Sequence, residues 1–465
     1  MNAVFLSRLQ FGLTISFHYI FPPLSIGLGL MMVIMEALHL KTGKAVYAQM
    51  LRFWTGIFAL TFGLGVATGI VMEFEFGTNW ANYSRFVGDV FGGPLAMEGI
   101  FAFFLESGFL AILLFGHDKV GKWLHFFSTV MVFLGSAFSA VWITVANSWM
   151  QTPRGFKLVY KHGQPVAAHV TNFAQVVFNP SSIDRLTHTF VGALLSGAFL
   201  VLSVSAFYLL RRRHEDCARR CIKIALVVAM GTSLLQLLTG DFNARMIARY
   251  QPAKLAAFEG HFKADAPAGM SIMGWVDTKA QKVYGLRIPG MLSWLLYWNP
   301  KHPVIGLDHF KPADRPPVNP VFQSYHIMVA MGMAMIGLAL LGCFFWWRDS
   351  LWRQRWLLWA FVFSAIAPLI ANEAGWFSAE VGRQPWIVYG ILKTSQGVSP
   401  HLAAGEVLAS IIMFSFIYLL LGALFVFLLT RKILAGPPPV SDAPVADGQG
   451  KLTDAVLQPN ARLSA

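Results

Sequence analysis

Charge is what this sequence has least of. Only 13% of its 465 residues are Asp, Glu, Lys or Arg, about half the roughly 25% of a soluble domain, which excludes an ordinary cytosolic enzyme. Cysteine is nearly absent as well: Cys217, Cys221 and Cys343 are the three, too few for a disulfide framework. Cys217 and Cys221 have no second pair nearby, and Arg211, Arg212, Arg213, Arg219 and Arg220 beside them would repel a cation. The start of the chain lacks a basic n-region and a small-residue cleavage site, with Arg8 alone and Pro22-Pro23 inside the first apolar run, so that run is expected to stay in the mature protein. No internal repeat is visible.

What is abundant is apolar. The chain is 56% hydrophobic, with 40 Phe and 15 Trp, and for most of it the solvent is expected to be lipid. Its formal charge of +13 would suggest nucleic acid in a soluble protein. Here it is expected to collect in cytoplasmic loops instead, and no nucleic-acid partner is expected.

Apolar runs long enough to cross a hydrocarbon core of about 30 Å fall at 11–36, 53–75, 94–116, 123–147, 188–210, 220–240, 322–346, 356–375 and 406–430. Threading them puts the connections 37–52, 117–122, 211–223, 348–355 and the start of the tail on one side, with 3, 2, 6, 3 and 2 Lys or Arg. The short connections of the other side are sparser in positive charge. The fold class expected is therefore an all-α integral membrane protein with nine transmembrane helices, its N-terminus periplasmic and its C-terminus cytoplasmic. Residues 1–240 would hold helices one to six, 241–320 an external loop rich in Pro, 321–432 helices seven to nine, and 433–465 a disordered cytoplasmic tail.

Ionisable groups inside spans cost about 2.5–3.5 kcal/mol each for Asp, Lys or Arg on translocon scales, so each is a candidate functional group. Glu98 and Glu106 share the third run, about 80° apart in azimuth and about 12 Å apart on one helix. They would serve as a proton relay or flank a charged cofactor; two protonated carboxyls bonded between helices is the bland alternative. Glu73 and Glu75 end the second run, and Glu373 and Glu380 follow the eighth. His18, His188 and Met328 each admit two readings, metal ligand or packing group. His, Met, aromatics and Arg are together the ingredients of a haem site, and the lack of Cys-x-x-Cys-His excludes c-type attachment. A proton-coupled transporter would also place such acids in the membrane, but transporters often show inverted repeats. A haem b anchor for a soluble dehydrogenase would need more facing His pairs than occur.

Ser7-Arg8-Leu9-Gln10-Phe11 leading to His18, Met72-Glu73-Phe74-Glu75-Phe76-Gly77-Thr78-Asn79-Trp80, Glu98-Gly99, Phe103-Phe104-Leu105-Glu106-Ser107 and Gly382-Arg383-Gln384-Pro385-Trp386 resemble subunit I of cytochrome bd-type quinol oxidases, in that family's order over nearly the whole chain. The resemblance implies a terminal oxidase of the bacterial inner membrane that takes electrons from ubiquinol or menaquinol at the periplasmic side. It would reduce O2 to water with cytoplasmic protons, generating a proton motive force without a pump. It implies two haem b groups, one low-spin and one high-spin, and a haem d. His188 and Met328 match the axial ligands of the low-spin haem, and His18 and Glu380 those of the two high-spin haems. Glu98, Glu106 and Glu73 match the acidic groups near the latter; Trp376, Arg383 and Arg8 match haem neighbours. Lys254 and Glu259 match the quinol-binding segment. A second membrane subunit is implied as partner, and a small single-span subunit is compatible with the family. Two departures stand out: His326 occupies the place two residues before Met328 where the family often has Arg, and the loop after span six is short. The short loop resembles the cyanide-insensitive branch, in which haem d is partly or wholly replaced by haem b.

Overall fold

The computed structural model describes residues 2–439. The expected tail falls mostly on 440–465, outside the described residues. Among the described residues nine helical stretches are long and apolar enough to cross a membrane, so the chain is an all-α membrane protein with small β hairpins in its connections.

The first span is two helices, α1 (Ala3–His18) and α2 (Phe21–Thr42). Pro22 and Pro23 fall in the first turn of α2, where their missing N–H groups cost nothing. The prolines thus break the span just after His18. Span two is α3 (Ala45–Thr78). Span three runs through α4 (Ala81–Met97), a π-helical turn (Glu98–Phe103) and α5 (Phe104–Phe115). After α6 (Lys122–Gln151) come the hairpin β1 (Phe156–Lys161) and β2 (Gln164–Val170), the short α7 (Phe173–Val177), and α8 (Ser182–Leu210). The long α9 (Glu215–Tyr250) is followed, across Gln251, by α10 (Pro252–Glu259), the hairpin β3 (Met270–Asp277) and β4 (Lys282–Ile288), and α11 (Met291–Tyr297). Then come α12 (Val318–Trp347), α13 (Arg355–Ser364) and α14 (Ile366–Val381), the last two making span eight together, and the small pair β5 (Trp386–Val388) and β6 (Leu392–Lys393). The chain closes on α15 (Thr394–Gly397) and α16 (Ala404–Ala435). The last helix therefore runs five residues beyond the expected end of span nine at 430.

The largest core lies between α2, α3, α8 and α9, where Leu28, Met31, Met32, Trp54, Phe58, Phe199, Val201 and Ile222 are buried. Helix α8 is its centre. Gly27 of α2 and Gly197 of α8 meet backbone to backbone: a Cβ on Gly197 would overlap the Gly27 carbonyl carbon. Small residues at such crossings let helices approach where lipid gives no hydrophobic drive. A second core under β3–β4 packs Leu255, Phe258, Leu292 and Phe322, so the 241–320 segment folds onto the bundle and buries α10.

Candidate functional site

Three of the expected ligands stand opposite a glycine on a neighbouring helix. A Cβ on Gly69 of α3 would be 3.2 Å from His18 Cε1, one on Gly240 of α9 would be 3.6 Å from His188 Cε1, and one on Gly375 of α14 would be 2.7 Å from Met328 Sδ. Space is left beside each group by a missing side chain.

The two histidines are oriented in the same way. His18 Nδ1 lies 2.9 Å from Thr68 Oγ1, and that hydroxyl donates to Leu64 O at 2.8 Å. His188 Nδ1 lies 3.2 Å from Thr239 Oγ1, whose hydroxyl donates to Gln236 O at 3.2 Å. Because the Thr68 hydroxyl proton is committed to a backbone carbonyl, its oxygen can only accept, which assigns the His18 N–H to Nδ1. The His18 Nε2 lone pair is then free, as a metal-ligating histidine requires. At His188 the Gln236 amide nitrogen competes for the ring, 3.2 Å from Nδ1 and 3.3 Å from Nε2. No three metal-ligating side chains converge among the described residues. Isolated donors suit axial ligation of a macrocycle rather than a protein-only cage.

Glu380 sits in a dense polar network. It pairs with Arg383, lies 3.9 Å from Arg185 Nη2, and accepts from Asn147 Nδ2 at 3.0 Å and Gln151 Nε2 at 3.1 Å. Arg185 also donates to Asn147. Arg383 Nε and Nη1 and Arg185 Nε are buried with no hydrogen-bond partner among the described residues. Two guanidinium groups face one carboxylate, and the leftover donors fit a further anionic group such as a haem propionate. The residues present therefore fit haem.

The same network reaches the quinol segment. Lys254 Nζ donates to Gln151 Oε1 and, at 2.7 Å, to Gln251 Oε1; Gln251 Nε2 donates to Gln151 Oε1 at 2.9 Å. A Cβ on Gly382 would come within 2.9 Å of the Lys254 stem. Gln151 thus joins Lys254 to Glu380 through one amide. Lys254 and Glu259 are 1% and 2% exposed, so they are not the solvated pair that their spacing alone would allow. Burial, with Arg185 and Arg383 nearby, holds the Lys254 ammonium well below its ordinary range. Burial raises Glu259 to about 7, against the opposing pull of the Ser271 N–H and of Arg287.

The acidic pair converges on α6. Glu98 accepts from Ser139 Oγ at 2.6 Å and Glu106 from Ser136 Oγ. The π turn between them changes the azimuth expected of one regular helix and lets both carboxyls reach the same neighbour. Gly135 allows it, since its Cβ would lie 2.8 Å from that of Glu106. Glu73, by contrast, is exposed on α3 while Glu75 is buried. Arg8 is exposed and Trp376 half-buried; the structure does not bring Arg8 into the Arg383 network.

Sequence reasoning misses the supporting residues. Arg185 is visible as a cation three residues before His188 but reads as one more loop charge; Asn147, Gln151 and Gln251 carry no signal of their own. Also missed is a buried group on α6: His125 Nδ1 lies 2.6 Å from Glu36 Oε1, and Thr129 Oγ1 donates to Glu36 Oε2 at 2.5 Å. His125 helps line a cavity of about 400 Å³ with Arg52, His117 and Asp118. His125, Thr129, Ser136 and Ser139 fall on one face of α6 at 100° per residue.

The fold and these sites define a membrane oxidoreductase subunit of the cytochrome class. A family model described as cytochrome bd terminal oxidase subunit I matches residues 6–437. The chain is 39% identical over 447 residues to the cytochrome bd ubiquinol oxidase subunit 1 of Bacillus subtilis (strain 168), covering 94% of each. It is 34% identical over 516 residues to the cytochrome bd-II ubiquinol oxidase subunit 1 of Escherichia coli (strain K12), covering 97% of this chain and 100% of that one. A chain of the bd oxidase structure from Geobacillus thermodenitrificans superposes with a TM-score of 0.87 at 31% identity, over 94% of this chain and 99% of that chain. The chain belongs to the cytochrome bd terminal oxidase subunit I family. It is a multi-pass protein of the bacterial inner membrane and a subunit of a terminal quinol oxidase, in a family that works with haem and as a complex of subunits I and II.

Proposed function

We propose that this chain carries the haems of its oxidase, two haem b and, at the oxygen site, a haem d or a further haem b in its place. Quinol would be oxidised at the periplasmic end and O2 reduced to water with cytoplasmic protons. His188 and Met328 would hold the low-spin haem. His18 and Glu380 would serve the high-spin pair, and Arg383 and Arg185 would meet propionates. When bound, the haems supply one-electron transfer and oxygen reduction. The observation that carries the reading is the paired placement of His18 and His188, each with Nδ1 against a threonine hydroxyl and a glycine opposite its ring.

The chain's own groups account for the protons. Glu259, buried and half-ionised near neutrality, accepts a proton as a quinol hydroxyl is oxidised, and Lys254, tied to Gln151 and Gln251, orients the ring. At the opposite end, the cavity beside Glu36 and His125 would admit protons, and the polar face of α6 would lead them to Glu106 and Glu98. Oxidation of two quinols releases as many protons on one side as reduction of one O2 consumes on the other, so charge is separated without a pump. The loop 241–320 is the quinol-binding unit, the second subunit completes the complex in the membrane, and the partner quinol is ubiquinol or menaquinol.

The test is a dithionite-reduced minus oxidised spectrum of the purified complex, with haem extraction. It should show haem b with a far-red chlorin band, or haem b alone with oxygen still consumed. Replacing His188 by Ala or Met328 by Leu should abolish the low-spin signal and quinol oxidation while high-spin haem remains. Unchanged low-spin absorption in both variants would overturn the ligand assignment.

A further inference from the structure

The hairpin β3–β4 is held to the bundle by one polar stripe on α12. Asn319 Oδ1 accepts the Val276 N–H at 3.3 Å, Gln323 Nε2 donates to Gly274 O at 2.8 Å, and His326 Nε2 lies 2.9 Å from Ser271 O. Positions 319, 323 and 326 share a helix face, and their partners step along strand β3 toward its start. His326 is the farthest of the three along α12. Its ring stacks on Phe322 with centroids 3.9 Å apart. Its Nδ1 is 2.8 Å from Phe322 O, a carbonyl one turn back that already accepts the helical N–H of His326. The tie that leaves the helix is therefore the one from Nε2 to Ser271.

Ser271 in turn holds Glu259. Its N–H donates to Glu259 Oε2 at 2.9 Å, and its Oγ donates to Glu259 O at 3.0 Å. The strand register shifts between Ser271 and Met273, a bulge at which ladder pairing is interrupted. The bulge leaves Ile272 without a β4 partner, and Ser271 beside it, paired with Arg287, is held from α12 as well. Two consecutive contacts connect the helix bearing Met328 to the carboxylate of Glu259.

We propose that His326 is a positioning residue for quinol oxidation: by holding Ser271 O it fixes the Ser271 N–H that orients the Glu259 carboxylate. The inference rests on the reading of Glu259 as a quinol contact. It assigns to His326 a role in the shape of the quinol site rather than in the electrostatics of the neighbouring haem ligand.

The experiment uses the complete oxidase complex and compares His326→Phe, His326→Gln and Glu259→Gln. Phe keeps the ring and its stacking on Phe322 but has no donor; the Gln amide carries an N–H to the place of Nε2. Readouts are KM and kcat for a short-chain quinol, the reduced minus oxidised spectrum, and the midpoint potential of the low-spin haem. His326→Phe should raise KM about tenfold, the loss of one buried hydrogen bond, while His326→Gln stays within about twofold of wild type. Spectrum and potential should not move in either. A wild-type KM in His326→Phe beside an impaired Glu259→Gln would overturn the proposal, as would a shifted potential with KM unchanged. Wild-type turnover by Glu259→Gln would overturn the quinol-site reading itself and the proposal with it. Should His326→Phe fail to assemble, His326→Asn carries the test: its amide ends at the place of Nδ1, short of Ser271, so the same rise is expected and a wild-type KM would refute.

Discussion

Replacing Glu259 by Gln should remove the acid limb of quinol oxidation. The carboxyl is 2% exposed and accepts one N–H from Ser271, and burial raises it from the usual 4.5 to about 7. Each unit is worth about 1.4 kcal/mol, so the fold favours the protonated acid by about 3 kcal/mol. If the ionised form is the base that takes the quinol proton, about one tenth of the enzyme is competent at pH 6 and about nine tenths at pH 8. The kcat/KM for quinol should therefore climb nearly tenfold between those values and level off above, while Glu259→Gln is low and flat. Stability should move the other way. A folded-state value raised above the unfolded one contributes stability that is complete below pH 4.5 and lost as pH rises through about 7. Glu259→Gln keeps an oxygen for the Ser271 N–H and carries no charge, so its thermal midpoint should exceed that of wild type at pH 8 and lose this dependence. The assays are steady-state quinol oxidation from about pH 5 to 9 and thermal unfolding of the purified complex at about pH 5 and pH 8. A flat wild-type profile, or a limb that persists in Glu259→Gln, would refute the reasoning.

Two further outcomes follow from packing and from the shared network. Gly197→Ala should lower the thermal midpoint of the complex, because the new methyl would overlap the Gly27 carbonyl carbon; overpacking of this kind costs about 1–3 kcal/mol, and an unchanged midpoint would refute the close crossing of α2 and α8. Lys254→Met should cut quinol turnover roughly tenfold or more with every haem band retained, since it strips the donor from the Gln151 and Gln251 amide oxygens. Full turnover in that variant would put the quinol elsewhere.

Most of the fold can be read from residue order because the membrane simplifies the problem. A span must bring its own backbone hydrogen bonds, so the nine apolar runs are enough to predict nine crossings without any contact being known. Within the runs, an acid or a histidine is informative because lipid makes it costly, and that cost alone singles out Glu98, Glu106, His18 and His188. The motifs around Glu98 and around Arg383 then carry the family resemblance.

What residue order does not contain is which groups meet across the bundle. The π turn that swings Glu98 and Glu106 onto α6, the glycines opposite His18, His188 and Met328, and the Gln151 amide joining Lys254 to Glu380 all arise from contacts between elements distant in sequence. Glu73 and Glu75 show the same limit: residue order does not tell that helix rotation exposes the first on α3 and buries the second. Local composition against lipid is sufficient to set the class of solvent, the number of crossings and the chemical types available inside them. Helix packing settles which of those groups share a hydrogen bond and which carboxyl is held against α12, because directional bonds a few ångströms long depend on how separate helices meet.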